Sequence, residues 1–277
     1  MRTARLHEVR RCGLNKAPRL RCTKPHYAMR VALLLALAAL VGASVERRFA
    51  RLEQRVAFLH ERVADLLCAD KFDGHTDTGA WCLRKANEQD GIPMADLHFL
   101  DKHVAEVVLS VIGRHASLLD VGAGSGQYCH FFAKRRDASA SCDSVDGALN
   151  VESFTQGRVK WADLTQPLLL DRRDKHDWVM SLEVGEHLPA QYEDQFFRTL
   201  HEHNTCGVLL SWAIENQPGK GHVNSKNNDY VTSKMQALGY ELDCNVTERA
   251  RFGAEHWWFE KSFMAFRNTA SAATCIE

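Results

Sequence analysis

The residues best suited to chemistry fall in a few short runs of the 277-residue chain. In "LLDVGAGSGQY", Asp120 precedes Gly122, Gly124 and Gly126 with the spacing D-x-G-x-G-x-G, directly after an apolar run. Glycines at such a turn let a ligand approach the backbone closely. The run lacks the G-x-G-x-x-G spacing with which a dinucleotide pyrophosphate closes on a helix N-terminus, and an acid two residues ahead of the first glycine suits a cationic head better than a diphosphate. "SVDG" then places Asp146 26 residues beyond Asp120, where an acid would hold both hydroxyls of a ribose. In "WADL", Asp163 is placed to accept from an adenine 6-amino group while Leu164 offers its backbone amide. "SLEVGEHLP" gathers Glu183, Glu186 and His187, and "GKGHVNSKNNDY" brings His222. Histidines titrate near neutrality, so His187 and His222 are the candidate general bases, each also readable as a backbone-bonded or capping histidine. Asn224 and Tyr230 are placed to orient a polar acceptor, and Trp257 and Trp258 to line a pocket.

These runs must be brought together by the elements that carry them. From Ser117 the text alternates between apolar strand-like runs and helical periodicity. Strands are predicted at 117–121, 141–146, 159–161, 178–182, 207–212, 241–246 and 259–267, with helices at 103–116, 127–135, 191–203 and 229–238. That alternation implies an α/β fold with a doubly wound, mostly parallel sheet. Ligands in such sheets sit beyond the carboxyl ends of the strands at the switch point, which is where the glycine turn and the three acidic runs after it fall. If 259–267 is a strand, Trp257 and Trp258 point to opposite faces and at most one reaches a given pocket. Together the runs suit a nucleoside cofactor with a cationic head and no phosphate, the character of S-adenosylmethionine.

With those motifs in hand, residues 118–266 resemble a class I S-adenosylmethionine-dependent methyltransferase domain, of the type acting on small molecules. "LLDVGAGSGQY", "VDG", "ADL" and "LEVGEHLP" are similar to that family's successive motifs, and the span covers over half the chain. The resemblance implies a seven-stranded sheet whose last strand is antiparallel. It assigns Gly122, Gly124 and Gly126 to the methionine portion, Asp146 to the ribose and Asp163 to the adenine. The full expected cofactor set is Asp120, Gly122, Ala123, Gly124, Gly126, Gln127, Asp146, Gly147, Asp163, Leu164 and Glu183, with Glu186, His187 and His222 as the catalytic candidates. In methyl transfer the sulfonium is already electrophilic, so the protein must mainly position the acceptor and take its proton. The substrate itself is not carried over; a small molecule or a glycan is the expected acceptor. The rival readings are an NAD-dependent oxidoreductase, which the missing third glycine of G-x-G-x-x-G opposes, and a non-catalytic cofactor-binding or assembly module.

Upstream of the domain the text changes character. Residues 1–30 form a basic tail of nine Lys/Arg and one acid, followed by "VALLLALAALVGA" within a predicted membrane or signal-anchor segment at 31–45. Basic residues ahead of an apolar segment place the N-terminus in the cytosol. An uncleaved type II anchor of the Golgi or endoplasmic reticulum with a luminal domain, a cleaved signal, and an organelle transit peptide are all compatible with the segment, and the layout favours the anchor. Over 46–68, Val45, Phe49, Leu52, Val56, Leu59, Val63 and Leu66 recur at 4-3 spacing, a coiled-coil-like stem helix that could join two copies. Residues 69–102 read as a linker or lid, 103–268 as the methyltransferase domain and 269–277 as a C-terminal tail.

Composition narrows the partners. Beyond residue 30 there are 26 Lys/Arg against 34 Asp/Glu, a net charge of about −8, which opposes a nucleic-acid face. Nine cysteines carry no C-x-x-C and no metal-like Cys/His spacing, so no metal site is expected. Cys129 and Cys142 read as small buried hydrophobes, while Cys68 and Cys82 flank a short loop that a disulfide could close in an oxidising compartment. "NVT" at Asn245 is a glycosylation sequon, disfavoured if it lies in a strand.

Overall fold

The computed structural model describes residues 45–271 and 275, apart from 53, 57, 61, 65, 69–75, 90, 97, 114, 136–140, 169–174 and 272–274. The predicted basic tail and the apolar segment up to residue 44 lie outside the described residues. Among the described residues no helix is long and apolar enough to cross a membrane. The chain divides into two units, Met1–Val56 and Ala57–Glu277.

The described residues of 45–68 are helical (α1), and every residue of the predicted seam is more than half exposed, from Val63 at 52% to Leu66 at 68%. The helix is therefore present, with its seam uncovered among the described residues. In the second unit, Ala64 is buried, the His60 ring lies 4.1 Å from that of Trp161, and Cys68 is bonded to Cys82. The predicted linker contains an antiparallel hairpin, β1 (Lys85–Gln89) and β2 (Ile92–Ala95), whose strands meet across Gly91 at φ 83°. A positive φ at a turn is a position glycine fills without a Cβ clash.

The main sheet has seven strands: β3 (Leu118–Val121), β4 (Cys142–Asp146), β5 (Lys160–Trp161), β6 (His176–Leu182), β7 (Asn204–Ser211), β8 (Tyr240–Leu242) and β9 (Met264–Asn268). Their spatial order is β5-β4-β3-β6-β7-β9-β8. Strands β5 to β7 run parallel, while β9 is antiparallel to both β7 and β8. This is the predicted doubly wound sheet, antiparallel strand included. Its strands are apolar on both faces because helices cover both. Leu118, Trp178, Met180, Leu209 and Ala265 face α2 (Lys102–Ile112), α3 (Gln127–Ala133), α7 (Cys244–Phe252) and α8 (Trp257–Ser262), which contribute Val104, Val108, Phe131, Phe132, Val246 and Phe259. Leu119, Val121, Val179, Val208, Leu210 and Phe266 face the other way, onto α5 (Glu193–Glu202) and α6 (Asn228–Ala237) through Phe196, Phe197, Leu200, Val231 and Met235. A short helix α4 (Val151–Thr155) sits between β4 and β5.

Two predicted strands are corrected. Within 241–246 only β8 is extended; Asp243 accepts from the Val246 amide at 3.1 Å and starts α7 there. Within 259–267 the first part belongs to α8, and only Met264 onward joins the sheet. Both errors have one origin: a short apolar run does not reveal whether its period is that of a strand or a helix. Asn245 is accordingly exposed in the first turn of α7, not in a strand. Cys129 and Cys142 are also corrected, since they form a disulfide between α3 and β4 instead of standing as buried thiols, and a third bond joins Cys206 to Cys275.

Candidate functional site

A cavity of about 330 Å³ opens beyond the carboxyl ends of β3, β4, β5 and β6. This is the switch point of the sheet, because the chain leaves β3 toward β4 on one side and β6 lies on the other. Of the expected cofactor residues, Gly122, Gln127, Asp146, Gly147, Asp163, Leu164 and Glu183 line it, as do His187 and His222. Asp120, Ala123, Gly124, Gly126 and Glu186 are not among the lining residues.

The glycine turn is built around Asp146. One carboxylate oxygen accepts from the Gly124 amide and the other from the Ala148 amide, both at 2.7 Å, so the side chain clamps the loop after β3 to the loop after β4. Each oxygen retains a second lone pair for a ligand hydroxyl. Gly122 stands at φ 80°, and a Cβ there would be 2.3 Å from Val184 Cγ2. Gly124 stands at φ 55°, with the His98 ring where its Cβ would be. The turn thus needs both its dihedrals and its lack of side chains. Asp163 spends one oxygen on the amide and hydroxyl of Thr165, at 3.0 and 2.6 Å, which is the turn-forming role open to any aspartate at a strand end.

Asp120, the penultimate residue of β3, is buried, and its Oδ2 has no hydrogen-bond partner. Burial first, and the Asp146 carboxylate second, push its pKa up to about 8. Glu183 caps β6 in the left-handed region at φ 56°, a strained conformation that a non-glycine residue holds only when its surroundings fix it. Its oxygens accept from Gln217 Nε2 at 2.6 Å and Ser262 Oγ at 2.9 Å. Glu186, on the turn Gly185–His187, is wholly buried, its carboxylate bonded to the Ala213 amide, its own amide and Glu183. Desolvation, with the Glu183 carboxylate next, holds its pKa well above the usual range.

His187 and His222 come together with ring centroids 5.1 Å apart. Their Nδ1 atoms lie 3.2 Å from the carbonyls of Gly221 and Gln217 respectively. A carbonyl only accepts, so each Nδ1 carries a proton toward it. Glu186, His187 and His222 present ligand-type atoms within 4.8 Å of one another.

Asn224 and Tyr230 do not reach the cavity. Asn224 is buried, donating to Glu193 and accepting through its backbone oxygen from Trp212 Nε1 at 2.7 Å. Tyr230 donates to the other oxygen of Glu193, and Lys226 and Lys234 lie within 4 Å of the same carboxylate. Trp257 and Trp258 both line the cavity, since they sit on α8 rather than on a strand. The wall also includes Thr78, Trp81, His98, Phe99, Tyr128 and Gln217, none of them singled out as a site residue from the sequence. Phe99 lies two residues before Asp101, whose carboxylate caps α2 at Val104 and accepts from the Glu255 and His256 amides, fastening the segment before α2 to the loop before α8. Such long-range anchoring has no local sequence signal.

The sheet order and the antiparallel β9 define a class I S-adenosylmethionine-dependent methyltransferase fold. No family model and no curated protein sequence matches the chain. Among solved structures, it is similar to the magnesium protoporphyrin IX methyltransferase of Synechocystis PCC 6803 with bound S-adenosylhomocysteine, at 16% identity over 60% of this chain and 80% of that one, TM-score 0.45. It is likewise similar to a TehB-like methyltransferase of Corynebacterium glutamicum (14%, 63% and 89%, TM-score 0.44). A third similar structure is that of an amino pentose methyltransferase of Micromonospora echinaspora with bound S-adenosylmethionine (15%, 61% and 89%, TM-score 0.45).

Proposed function

We propose that the chain is an S-adenosylmethionine-dependent methyltransferase that transfers the methyl group to a small-molecule or glycan acceptor. The observation that carries this reading is the acidic cavity at the switch point, where Asp146 both clamps the glycine turn and faces the ligand. Asp146, Asp163 and Glu183 on the wall suit a cationic nucleoside and oppose a diphosphate, which also disfavours the NAD-dependent alternative. The methionine portion would pass over Gly122, the ribose would meet Asp146 and the adenine would lie by Asp163 and Leu164. The acceptor would enter from the side of Trp81, His187, His222 and Trp257, groups that exclude water and orient a hydroxyl or amine for in-line attack on the methyl carbon. In this reading the Nε2 of His187 or His222 takes the acceptor proton.

Calorimetric titration of the full chain tests it. S-adenosylmethionine or S-adenosylhomocysteine should bind, and Asp146→Ala should abolish binding. Binding of NAD in their place would sink the proposal; cofactor binding without methyl transfer to any acceptor in labelled cell extracts would favour the non-catalytic module.

We further place the domain in the lumen of the secretory pathway, anchored by residues 31–45 as a type II protein. Three disulfides support an oxidising compartment, and the exposed sequon at Asn245 is compatible with it. The exposed heptad seam of α1 supports pairing of two copies. Protease added to intact microsomes should leave the domain undigested; its cleavage without detergent would exclude the luminal arrangement.

A further inference from the structure

From the way the end of α1 and the segment 76–83 meet the cavity, we infer that the two form one cover over its cofactor half, and that the Cys68–Cys82 disulfide joining them sets how fast the cofactor enters and its product leaves. The cofactor's place beneath the cover rests on the methyltransferase reading above.

The segment 76–83 is a strap. Its first part closes on itself: the Thr76 amide donates to the Ala80 carbonyl at 2.8 Å, the Gly79 amide to the Thr76 carbonyl at 2.9 Å and the Ala80 amide to Thr76 Oγ1 at 3.0 Å. Thr78, Gly79, Ala80 and Trp81 are four consecutive residues of the cavity wall. On one side the strap is fixed to the loop after β4. The Leu149 amide donates to the Trp81 carbonyl at 2.9 Å, and the Asn150 side chain pairs with the Leu83 backbone, accepting at 2.7 Å and donating at 2.9 Å. Leu83 itself is buried in a cluster with Ala148, Val151 and Val159.

On the other side the strap meets the turn after β6. Gly79 stands at φ 83°, and a Cβ there would lie 2.2 Å from the His187 carbonyl oxygen, so only glycine allows this approach. The Trp81 ring lies 4.7 Å from that of His187 and 6.3 Å from that of His98, the ring that packs on Gly124. Since β3 lies between β4 and β6, a strap reaching from one loop to the other passes over the glycine turn that follows β3. A ligand resting on that turn, with a hydroxyl at Asp146, lies beneath it.

The end of α1 supplies the rest of the cover. The His60 ring lies 4.1 Å from that of Trp161, a wall residue close in sequence to Asp163 and Leu164, where the adenine would lie. One turn on, Ala64 is buried, and one turn further Cys68 is bonded to Cys82, the residue after Trp81. Positions 60, 64 and 68 share one helix face, while the exposed seam residues Leu59, Val63 and Leu66 form a different stripe. The face that meets the domain therefore leaves the seam uncovered.

A surface segment held by a few hydrogen bonds and ring contacts opens locally at low cost, and a cover must open for its ligand to exchange. The disulfide removes most arrangements in which strap and helix separate. The two then lift together and seldom, which slows exchange and keeps water from the site during transfer.

Two measurements on the full chain test this. Hydrogen–deuterium exchange without ligand reads the cover itself: in the double variant Cys68→Ser, Cys82→Ser, peptides spanning 76–83 and 147–150 should exchange at least ~10-fold faster than in the wild type, with β3, β6 and β7 unchanged. Stopped-flow tryptophan fluorescence with S-adenosylhomocysteine reads its role. Association and dissociation should both quicken at least ~10-fold, leaving affinity within about threefold. Asn150→Ala, which frees the strap with all three disulfides intact, should act the same way and decides the matter if the double variant fails to fold. Unchanged exchange in the strap of the folded variants overturns the cover, and so does faster exchange throughout the sheet. Faster dissociation with unchanged association would make the strap a mere contact surface and overturns the gating. Failure of the wild type to bind S-adenosylhomocysteine sinks the methyltransferase reading and the gating with it, while the exchange result still decides whether the cover exists.

Discussion

At the scale of single residues, Asp120 and Glu186 are acids buried within the fold. Burial, with the Asp146 carboxylate beside it, pushes the pKa of Asp120 up to about 8 from the usual carboxylate value near 4. Below about pH 4 both folded and unfolded chains hold the proton and burial has no electrostatic cost. As pH rises from there toward 8 the unfolded chain ionises first, so stability falls across that window and levels off above it. Asp120→Asn keeps the shape without the charge. Its melting temperature should exceed that of the wild type by a margin that widens from pH 5 to pH 8; a margin independent of pH would show that Asp120 is ionised in the fold at no cost. The sequence placed Asp120 in the cofactor set, suited to a cationic head; the structure buries it outside the cavity lining. Position along a chain gives a residue's neighbours in sequence and says nothing of depth.

Among the elements, α7 depends on one side chain. Asp243 caps it at Val246 and binds Arg267 Nε on β9 at 2.8 Å, so it joins helix, strand β8 and strand β9. Burial pushes its pKa up, but Arg267 and the Val246 and Asn245 amides outweigh this and leave the pKa lowered. Its contribution is therefore present above the unfolded pKa near 4 and lost as pH falls through the lower folded value. Asp243→Ala should cost about 1 kcal/mol from the lost cap alone, read as a shift in urea midpoint at pH 7 that shrinks toward pH 3. An unchanged midpoint would mean the cap contributes nothing to α7. Sequence patterning found β3, β6 and β7 because each holds an apolar run too short for a helix, between turn signals, and β4 (CDSVD) by its place in the alternation of strands and helices. It misread α7 and α8 because "LDCNVTERA" and "HWWFEKSF" have their apolar residues at spacings that either period accommodates. The capping bond and the contact of Trp258 with Phe99, at 5.8 Å between rings, arise only once the chain has folded.

For the molecule as a whole, the disulfides bind segments that the sheet alone does not. Cys206 on β7 holds Cys275, 69 residues away, and Cys82 holds Cys68 across 14. Loop-closure entropy for the longer span corresponds to about 4 kcal/mol in the chain-entropy model. Cys275→Ser should therefore lower the melting temperature by several degrees, and adding reductant to the wild type should lower it further by opening the other two bonds; insensitivity to reductant would show that the thiols are not paired. A chain begun at Ala69 would lack Cys68 and the His60 contact with Trp161, so binding measurements belong on the full chain.

The sequence by itself determined the α/β class, the parallel sheet with its antiparallel last strand, and the place of the ligand beyond the strand ends. Those follow from periodicity, turn residues and the resemblance its motifs carry, all of them local. Only the tertiary structure decided which residues meet: Asp146 with the Gly124 amide, Gln217 with both Glu183 and His222, Glu186 with two histidines, and Cys129 with Cys142. Apart from Gln217–His222 and Glu186–His187, these contacts join residues 13 to 36 positions apart, brought together by the way the sheet connects. Their partners are set by how strands and helices stack to bury apolar surface, which no single stretch of sequence encodes.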